Sequence, residues 1–244
     1  MSVSGSYPQA RLADHVRACR VGDQMIFLDL LRGKYIGLGG PRIAALSEAI
    51  LGRTGADGAP VQASDAALLG KAIRRLRQQH LLSDGPATGP TRRPPLLDTP
   101  VASFAFDDHD RPVASEWRQL LQIWRSSCMA AAWLRRLSLA EIAERIGALR
   151  VRHPHSRNPA SIDAMRAAVE SYIRLRPFAL SAQDRCLHDS LTLLHFLNRQ
   201  GLFAHWVIGV RVDPFGAHAW VQAGAIVLND YAERVRRFQS ILVV

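Results

Sequence analysis

Residues 186–230 constrain the fold of this chain more than any other stretch. Leu187, Leu191, Leu194 and Leu197 recur at three- and four-residue steps, the spacing of a helix with one buried face. Asp184 is a suitable N-cap, and Gly201, just past Gln200, is a suitable C-terminal stop. Residues 203–212 then read as a buried strand and Asp213-Pro214-Phe215-Gly216 as a turn. Residues 217–222 read as a second strand, Ala223-Gly224-Ala225 as a hairpin loop and residues 226–230 as a third strand.

Three side chains in this stretch sit where chemistry could use them. Cys186 falls in the first turn of the helix, where unpaired N–H groups and the helix dipole favour a thiolate. A thiolate is the form that acts as nucleophile. His218 lies on the second strand. A two-residue hairpin loop would set it opposite Asn229, and a three-residue loop opposite Asp230. Either gives the imidazole an orienting partner, so thiol, imidazole and orienter follow the logic of a nucleophilic triad. Gln183, just upstream, is a candidate donor to an oxyanion beside the N–H groups of the helix start. His188 is a second imidazole near the cysteine and a competing base if it faces the sulfur. Against this stands the plain reading, in which a single cysteine is a small buried hydrophobe, as expected for Cys19 and Cys128. The three residues together, placed at a helix start, favour chemistry.

The wording of the stretch adds to this. Cys186-Leu187-His188-Asp189-Ser190-Leu191, Ile208-Gly209-Val210-Arg211, Pro214-Phe215-Gly216-Ala217-His218-Ala219-Trp220-Val221 and Val227-Leu228-Asn229-Asp230 resemble the transglutaminase-like branch of the papain-like fold. More narrowly they resemble the lasso-peptide maturation proteases, which remove the leader from a ribosomally made precursor. The resemblance runs over residues 115–240 and is specific in the last sixty or so. It implies Cys186 as nucleophile, His218 as general base and Asp230 as orienting acid. It also implies a precursor peptide as substrate and an asparagine-synthetase-like lasso cyclase as partner, with ATP used by the cyclase. No nucleotide site is legible in this chain.

Residues 1–82 read as a small separate domain. Residues 16–19 and 24–30 look like strands, Leu31-Arg32-Gly33-Lys34 is a turn, and Tyr35-Ile36-Gly37-Leu38 returns as a third strand. Helices follow over residues 42–51 and over 65–80, the latter capped by Ser64 with Leu68, Leu69, Ile73 and Leu76 inward. Strands followed by helices suggest a compact winged-helix-like arrangement. This part resembles the PqqD-like domains that hold leader peptides. The resemblance implies a leader added as a strand along residues 35–38, with Tyr35, Ile36 and Leu38 on the edge and Ile73, Leu76 and Arg77 on the wall. A DNA-binding winged helix is the competitor, since Arg74, Arg75 and Arg77 share a helix. Gly37-Leu38-Gly39-Gly40 lacks the lysine and hydroxyl of a phosphate loop.

Residues 83–112 form a linker, with four prolines between residues 84 and 95 and no periodic apolar pattern. A short strand is expected near residues 101–106. Asp107-Asp108-His109-Asp110 reads as a solvated acidic loop, and His153 and His155 lack further ligands at metal spacing, so no metal is expected. The third region, residues 113–244, opens with helices. Residues 116–137 carry Trp117, Leu120, Leu121, Trp124, Cys128 and Trp133. Ser138 and Glu141 form a capping box. Residues 160–176 place Ile162, Met165, Val169, Tyr172 and Ile173 inward, and Pro177 ends the helix. The expected class is α+β: a winged-helix-like domain, then a papain/transglutaminase-like domain with a helical first half and an antiparallel sheet.

Three cysteines in 244 residues argue against a disulfide scaffold. The N-terminus lacks the pattern of a signal peptide and no run reaches the length of a membrane span, so a cytoplasmic protein is expected. The formal charge of +10 favours an acidic peptide over nucleic acid, because the arginines are dispersed rather than clustered. Two alternatives to a peptidase stay open. One is acyl transfer by the same triad, and the other is a non-catalytic peptide- or DNA-binding protein.

Overall fold

The computed structural model describes residues 11–40, 43–51, 63–83, 97–104, 117–152, 159–179 and 186–244. Gln183, Asp184, Asp107–Asp110, His153 and His155 lie outside the described residues. The chain divides into two units, Met1–Arg93 and Pro94–Val244.

In the first unit, β1 (Val16–Val21), β2 (Gln24–Asp29) and β3 (Lys34–Gly39) form an antiparallel meander in that order. The β2–β3 turn is fixed by Asp29. Its buried carboxylate accepts the backbone N–H groups of Leu31 (3.0 Å) and Arg32 (3.1 Å) and pairs with the Arg32 guanidinium at 3.0 Å. Burial raises the Asp29 pKa, but these three donors outweigh it and hold the group below its ordinary value. α1 (Ile43–Leu51) and α2 (Ala63–Gln78) follow. Val16, Met25 and Phe27 meet Leu46, Ile50, Leu69, Ile73 and Leu76 in one core. Ile73 and Leu76 are therefore core residues rather than the wall of an open groove, while Arg77 is exposed. Tyr35, Ile36 and Leu38 are half-buried on an outer strand of the sheet. Ser64, expected as the cap, lies one residue inside α2. The helix ends at Gln78, and His80 just past it takes the left-handed conformation (φ 58°) usually left to glycine.

The second unit is built around one helix and one sheet. α6 (Cys186–Arg199) buries Ser190 to Leu194, Phe196 and Leu197, a nearly continuous run, because it packs against β6 (Phe215–Ala223) on one side and α3 (Trp117–Arg136) on the other. Gly201, at φ 73°, ends it as expected. The sheet order is β4 (Ala102–Ser103), β7 (Ile226–Val227), β6 (Phe215–Ala223), β5 (His205–Val212), β8 (Gln239–Val243). β4 joins β7 in parallel and the remaining pairs are antiparallel. β8 closes the β5 edge and was not foreseen. Neither was α7 (Ala232–Val235).

The helical half is α3 (Trp117–Arg136), α4 (Leu139–Arg152) and α5 (Pro159–Ala179). The capping box forms: Glu141 accepts the Ser138 N–H at 2.8 Å and donates its own N–H to Ser138 Oγ at 3.3 Å. Several expectations are corrected here. α3 buries Ile123, Ser126 and Ala130, while Trp117, Leu121, Trp124 and Cys128 are exposed. The helix presents its small residues to its neighbours, which permits close approach. Pro177 lies inside α5, two residues before its end, where its ring disturbs only the final turn. α5 turns Met165, Ala168, Val169, Tyr172 and Leu175 inward, while Ile162 is exposed.

Candidate active site

Cys186, His218 and Asp230 come together although they start on different faces of the fold. Trp206 donates its indole N–H to Ser190 Oγ at 3.0 Å, so the even positions of β5 face α6. His218 pairs with Gly209, on the opposite face of the sheet. The imidazole and the thiol meet at the open edge of β6. β7 pairs only with Gln222 and Ala223, so among the described residues no strand lines that edge beyond Val221. The freed N–H of Ala219 donates to the Cys186 sulfur, as does the N–H of Leu187. The His218 ring hydrogen-bonds the same sulfur.

The register question resolves in a way neither expectation covered. The hairpin loop is Gly224-Ala225, since Ala223 pairs with Ile226. Continued, that register would put Tyr231 opposite His218. Instead the chain leaves the ladder after Leu228, whose N–H still donates to the Val221 carbonyl at 2.9 Å. The Asn229 side chain takes over the ladder bond, accepting the Val221 N–H at 2.8 Å. Asp230 then turns in, and His218 Nε2–H donates to its Oδ2 at 2.5 Å. Nδ1 is left as the nitrogen for the sulfur. His188 does not compete: its Nε2 faces the Ser127 carbonyl at 3.0 Å.

The electrostatics favour an ion pair. Burial works against the charged form of all three groups. For Cys186 the hydrogen bond from His218 and the N–H of Ala219 outweigh burial, and the thiol pKa falls below its ordinary value. For His218 the bonds to Asp230 and to Cys186 outweigh burial and raise the imidazole to about 9. For Asp230, His218, the Tyr231 N–H (2.7 Å) and Arg234 (3.7 Å) hold the carboxyl below its ordinary value. Cys19, by contrast, is buried without such partners and is pushed up to about 12.

Two supports of the site were not anticipated. The first is a stack: the His218 ring lies 6.1 Å from Trp220 and 5.4 Å from Phe238. Gly209 makes room for it, because a Cβ there would stand 2.7 Å from the Trp220 ring and 2.9 Å from Phe238 Cβ. A lone glycine inside an apolar strand signals such an approach. The second is a polar lock. Asp189, one turn along α6 from Cys186, accepts from Tyr172 Oη at 2.8 Å and from Asn229 Nδ2 at 2.7 Å, with Arg176 at 3.6 Å. It ties the first turn of α6 to the segment that carries Asp230. No local pattern announces it, because its members lie on separate elements.

A helix offering a cysteine at its first turn, against a sheet offering histidine and then acid, is the layout of the thiol–imidazole–carboxylate proteins. The family model described as the transglutaminase-like superfamily matches residues 110–243, more than half of the chain, and the chain belongs to that superfamily. Over 45 residues it is 49% identical to the microcin J25-processing protein McjB of Escherichia coli. That stretch covers 18% of this chain and 22% of McjB. No solved structure matches the chain significantly. Among the described residues, no helix is long and apolar enough to cross a membrane.

Proposed function

We propose that this protein is a leader peptidase of lasso-peptide biosynthesis, cutting a ribosomally made precursor by a Cys186–His218–Asp230 mechanism. The observation that carries the reading is the Cys186–His218–Asp230 hydrogen-bond chain, in a protein similar to one that processes a microcin.

The Cys186 thiolate attacks the scissile carbonyl carbon. Negative charge moves to the carbonyl oxygen, which backbone N–H groups at the start of α6 and the Gln183 amide receive. The intermediate collapses with loss of the amine, which takes the proton from His218 Nδ1 and becomes the new N-terminus. Neutral His218 then takes a proton from water, whose oxygen attacks the thioester and releases the leader as a carboxylic acid. Asp230 holds the ring and stabilises its cation throughout.

The first unit binds the leader as a strand added to β3, contacting Tyr35, Ile36 and Leu38, with Arg77 nearby and Ile73 and Leu76 beneath as core. An asparagine-synthetase-like cyclase receives the freed amine and is where ATP is used. The cytoplasm is the setting that suits free thiols.

The description of the superfamily keeps acyl transfer as a second reading, in which an amine rather than water resolves the thioester. The test incubates the full chain with candidate precursors from the source genome, the cyclase and ATP, and reads products by mass spectrometry. Hydrolysis yields a leader ending in a free acid and a core with a free amine, both lost in Cys186→Ala. A leader recovered as an amide conjugate decides for transfer. Identical fragments from Cys186→Ala sink both.

A further inference from the structure

Arg211 stands beside the site with work unassigned. It lies on β5, two residues beyond Gly209 and so on the His218 face of the sheet. Its guanidinium carbon sits 5.4 Å from the Phe238 ring centroid, and that same ring is 5.4 Å from the imidazole. Guanidinium and imidazole are thus separated by at most roughly 11 Å, the span of about three extended residues.

The side chain is positioned but not satisfied. Its Nε is buried without a hydrogen-bond partner, and among the described residues no carboxylate pairs with the group. Buried guanidinium N–H groups ordinarily find an acceptor, and leaving one without is costly. Phe238 supports the guanidinium but offers no acceptor. Gly216, opposite Arg211 on β6, leaves the space for it, since a Cβ there would lie 3.1 Å from Nε. The fold therefore holds a planar, five-donor cation in place near His218, and among the described residues no acceptor matches its buried Nε. The partner shape for such a fork is a carboxylate. A chain of formal charge +10 attracts an acidic peptide in any case.

We propose that Arg211 is a substrate-recognition residue, receiving the carboxylate of an Asp or Glu side chain of the bound peptide within about three residues of the bond that Cys186 attacks. This rests on the peptidase reading above.

The test uses the full chain and chloroacetyl-capped tripeptides that alkylate Cys186. Asp, Asn or Lys is placed at each of the three positions in turn. Alkylation of Cys186 is followed by mass spectrometry, and each rate is divided by the iodoacetamide rate of the same variant. In the wild type one position favours Asp over Asn by about ten-fold, the worth of one charge-assisted hydrogen bond. Arg211→Gln removes that preference, and Arg211→Glu transfers it to the Lys probe. An equal response to Asp and Asn at all three positions overturns the proposal. So does an Asp preference that survives in Arg211→Gln, or a slowing in Arg211→Gln shared equally by iodoacetamide and every probe. In the last case Arg211 only props Phe238 against His218. A wild-type Cys186 that resists iodoacetamide itself at pH 6 sinks the peptidase reading, and the recognition role with it.

Discussion

The sharpest consequence of the site is the pH profile of Cys186 alkylation. An ordinary thiol with a pKa of about 8.5 is only ~0.3% ionised at pH 6, and its alkylation rate rises about 75-fold between pH 6 and 8. Cys186 is held below the ordinary range by His218 and the Ala219 N–H. His218, raised to about 9, keeps its proton through the same interval. Cys186 should therefore be more ionised than an ordinary thiol at pH 6, and its rate should rise between pH 6 and 8 by clearly less than that ordinary factor. At pH 6 the gain in thiolate is bounded at about 300-fold over an ordinary thiol. A stabilised thiolate is also a weaker nucleophile, so a rate at least about ten-fold above that thiol is the expectation. His218→Ala removes the imidazole bond and leaves only the Ala219 and Leu187 N–H groups against burial, which steepens the rise and slows the reaction at pH 6. Iodoacetamide labelling read by mass spectrometry follows all three cysteines at once. N-acetylcysteine in the same tube is the reference thiol, and buried Cys19, at about 12, should not react. A Cys186 rate that climbs in parallel with that of the reference thiol, or one indifferent to His218→Ala, would refute the ion pair. The linkage has a definite sign. The folded value of His218 lies above its ordinary 6.5. Its contribution to stability is complete below that ordinary value and is lost as the pH rises through about 9.

Gly209→Ala should cost about 1–3 kcal/mol in a denaturant melt by overpacking against Trp220 and Phe238, and should steepen the Cys186 alkylation profile by moving His218. Asn229→Ala removes the acceptor of the Val221 N–H and the donor to Asp189. A loss of about 1–3 kcal/mol is expected, with slower Cys186 labelling at pH 6, and an unchanged labelling rate would separate the lock from the site. Asp29→Ala unpairs the β2–β3 turn and should cost about 1–3 kcal/mol, seen as faster hydrogen exchange over residues 24–39. Because the Asp29 carboxyl is held low, its contribution is full above the ordinary carboxyl range and disappears as the pH falls through the folded value.

What was legible in the sequence was what short-range physics writes there. The leucine spacing of α6, its stop at Gly201, the Ser138–Glu141 box and the placement of Cys186 in a first turn are all decided within a few residues. Partners distant in sequence were not legible. β8 closes the β5 edge from 30 residues away, and nothing in Gln239–Val243 names that partner. The exposure of Trp117, Leu121 and Trp124 was hidden because periodicity places apolar residues on a face without saying what covers it. Asp230 is the instructive case. Strand register alone offered Asn229 or Asp230 opposite His218, but the chain leaves the ladder first, so the acid arrives from a bend and the amide fills the vacated ladder position.

That departure explains why Asn229 and Asp230 belong together. An acid in a continuing strand would be fixed by backbone pairing. An acid on a bend needs another anchor, and Asn229 supplies it by bonding both β6 and Asp189 of α6. Asp189 in turn is three residues from Cys186 and is held by Tyr172 of α5. Movement of the bend is thereby coupled to the first turn of α6, and nucleophile and orienting acid are held to one carboxylate. Asp189→Asn is the substitution that probes this coupling. It keeps the shape but can present only one acceptor oxygen to two donors, Tyr172 and Asn229. If the lock sets the geometry of the site, the Cys186 alkylation profile should steepen toward that of His218→Ala while the melting temperature falls by only a few degrees. A large loss of stability with the profile unchanged from wild type would assign Asp189 to the fold alone.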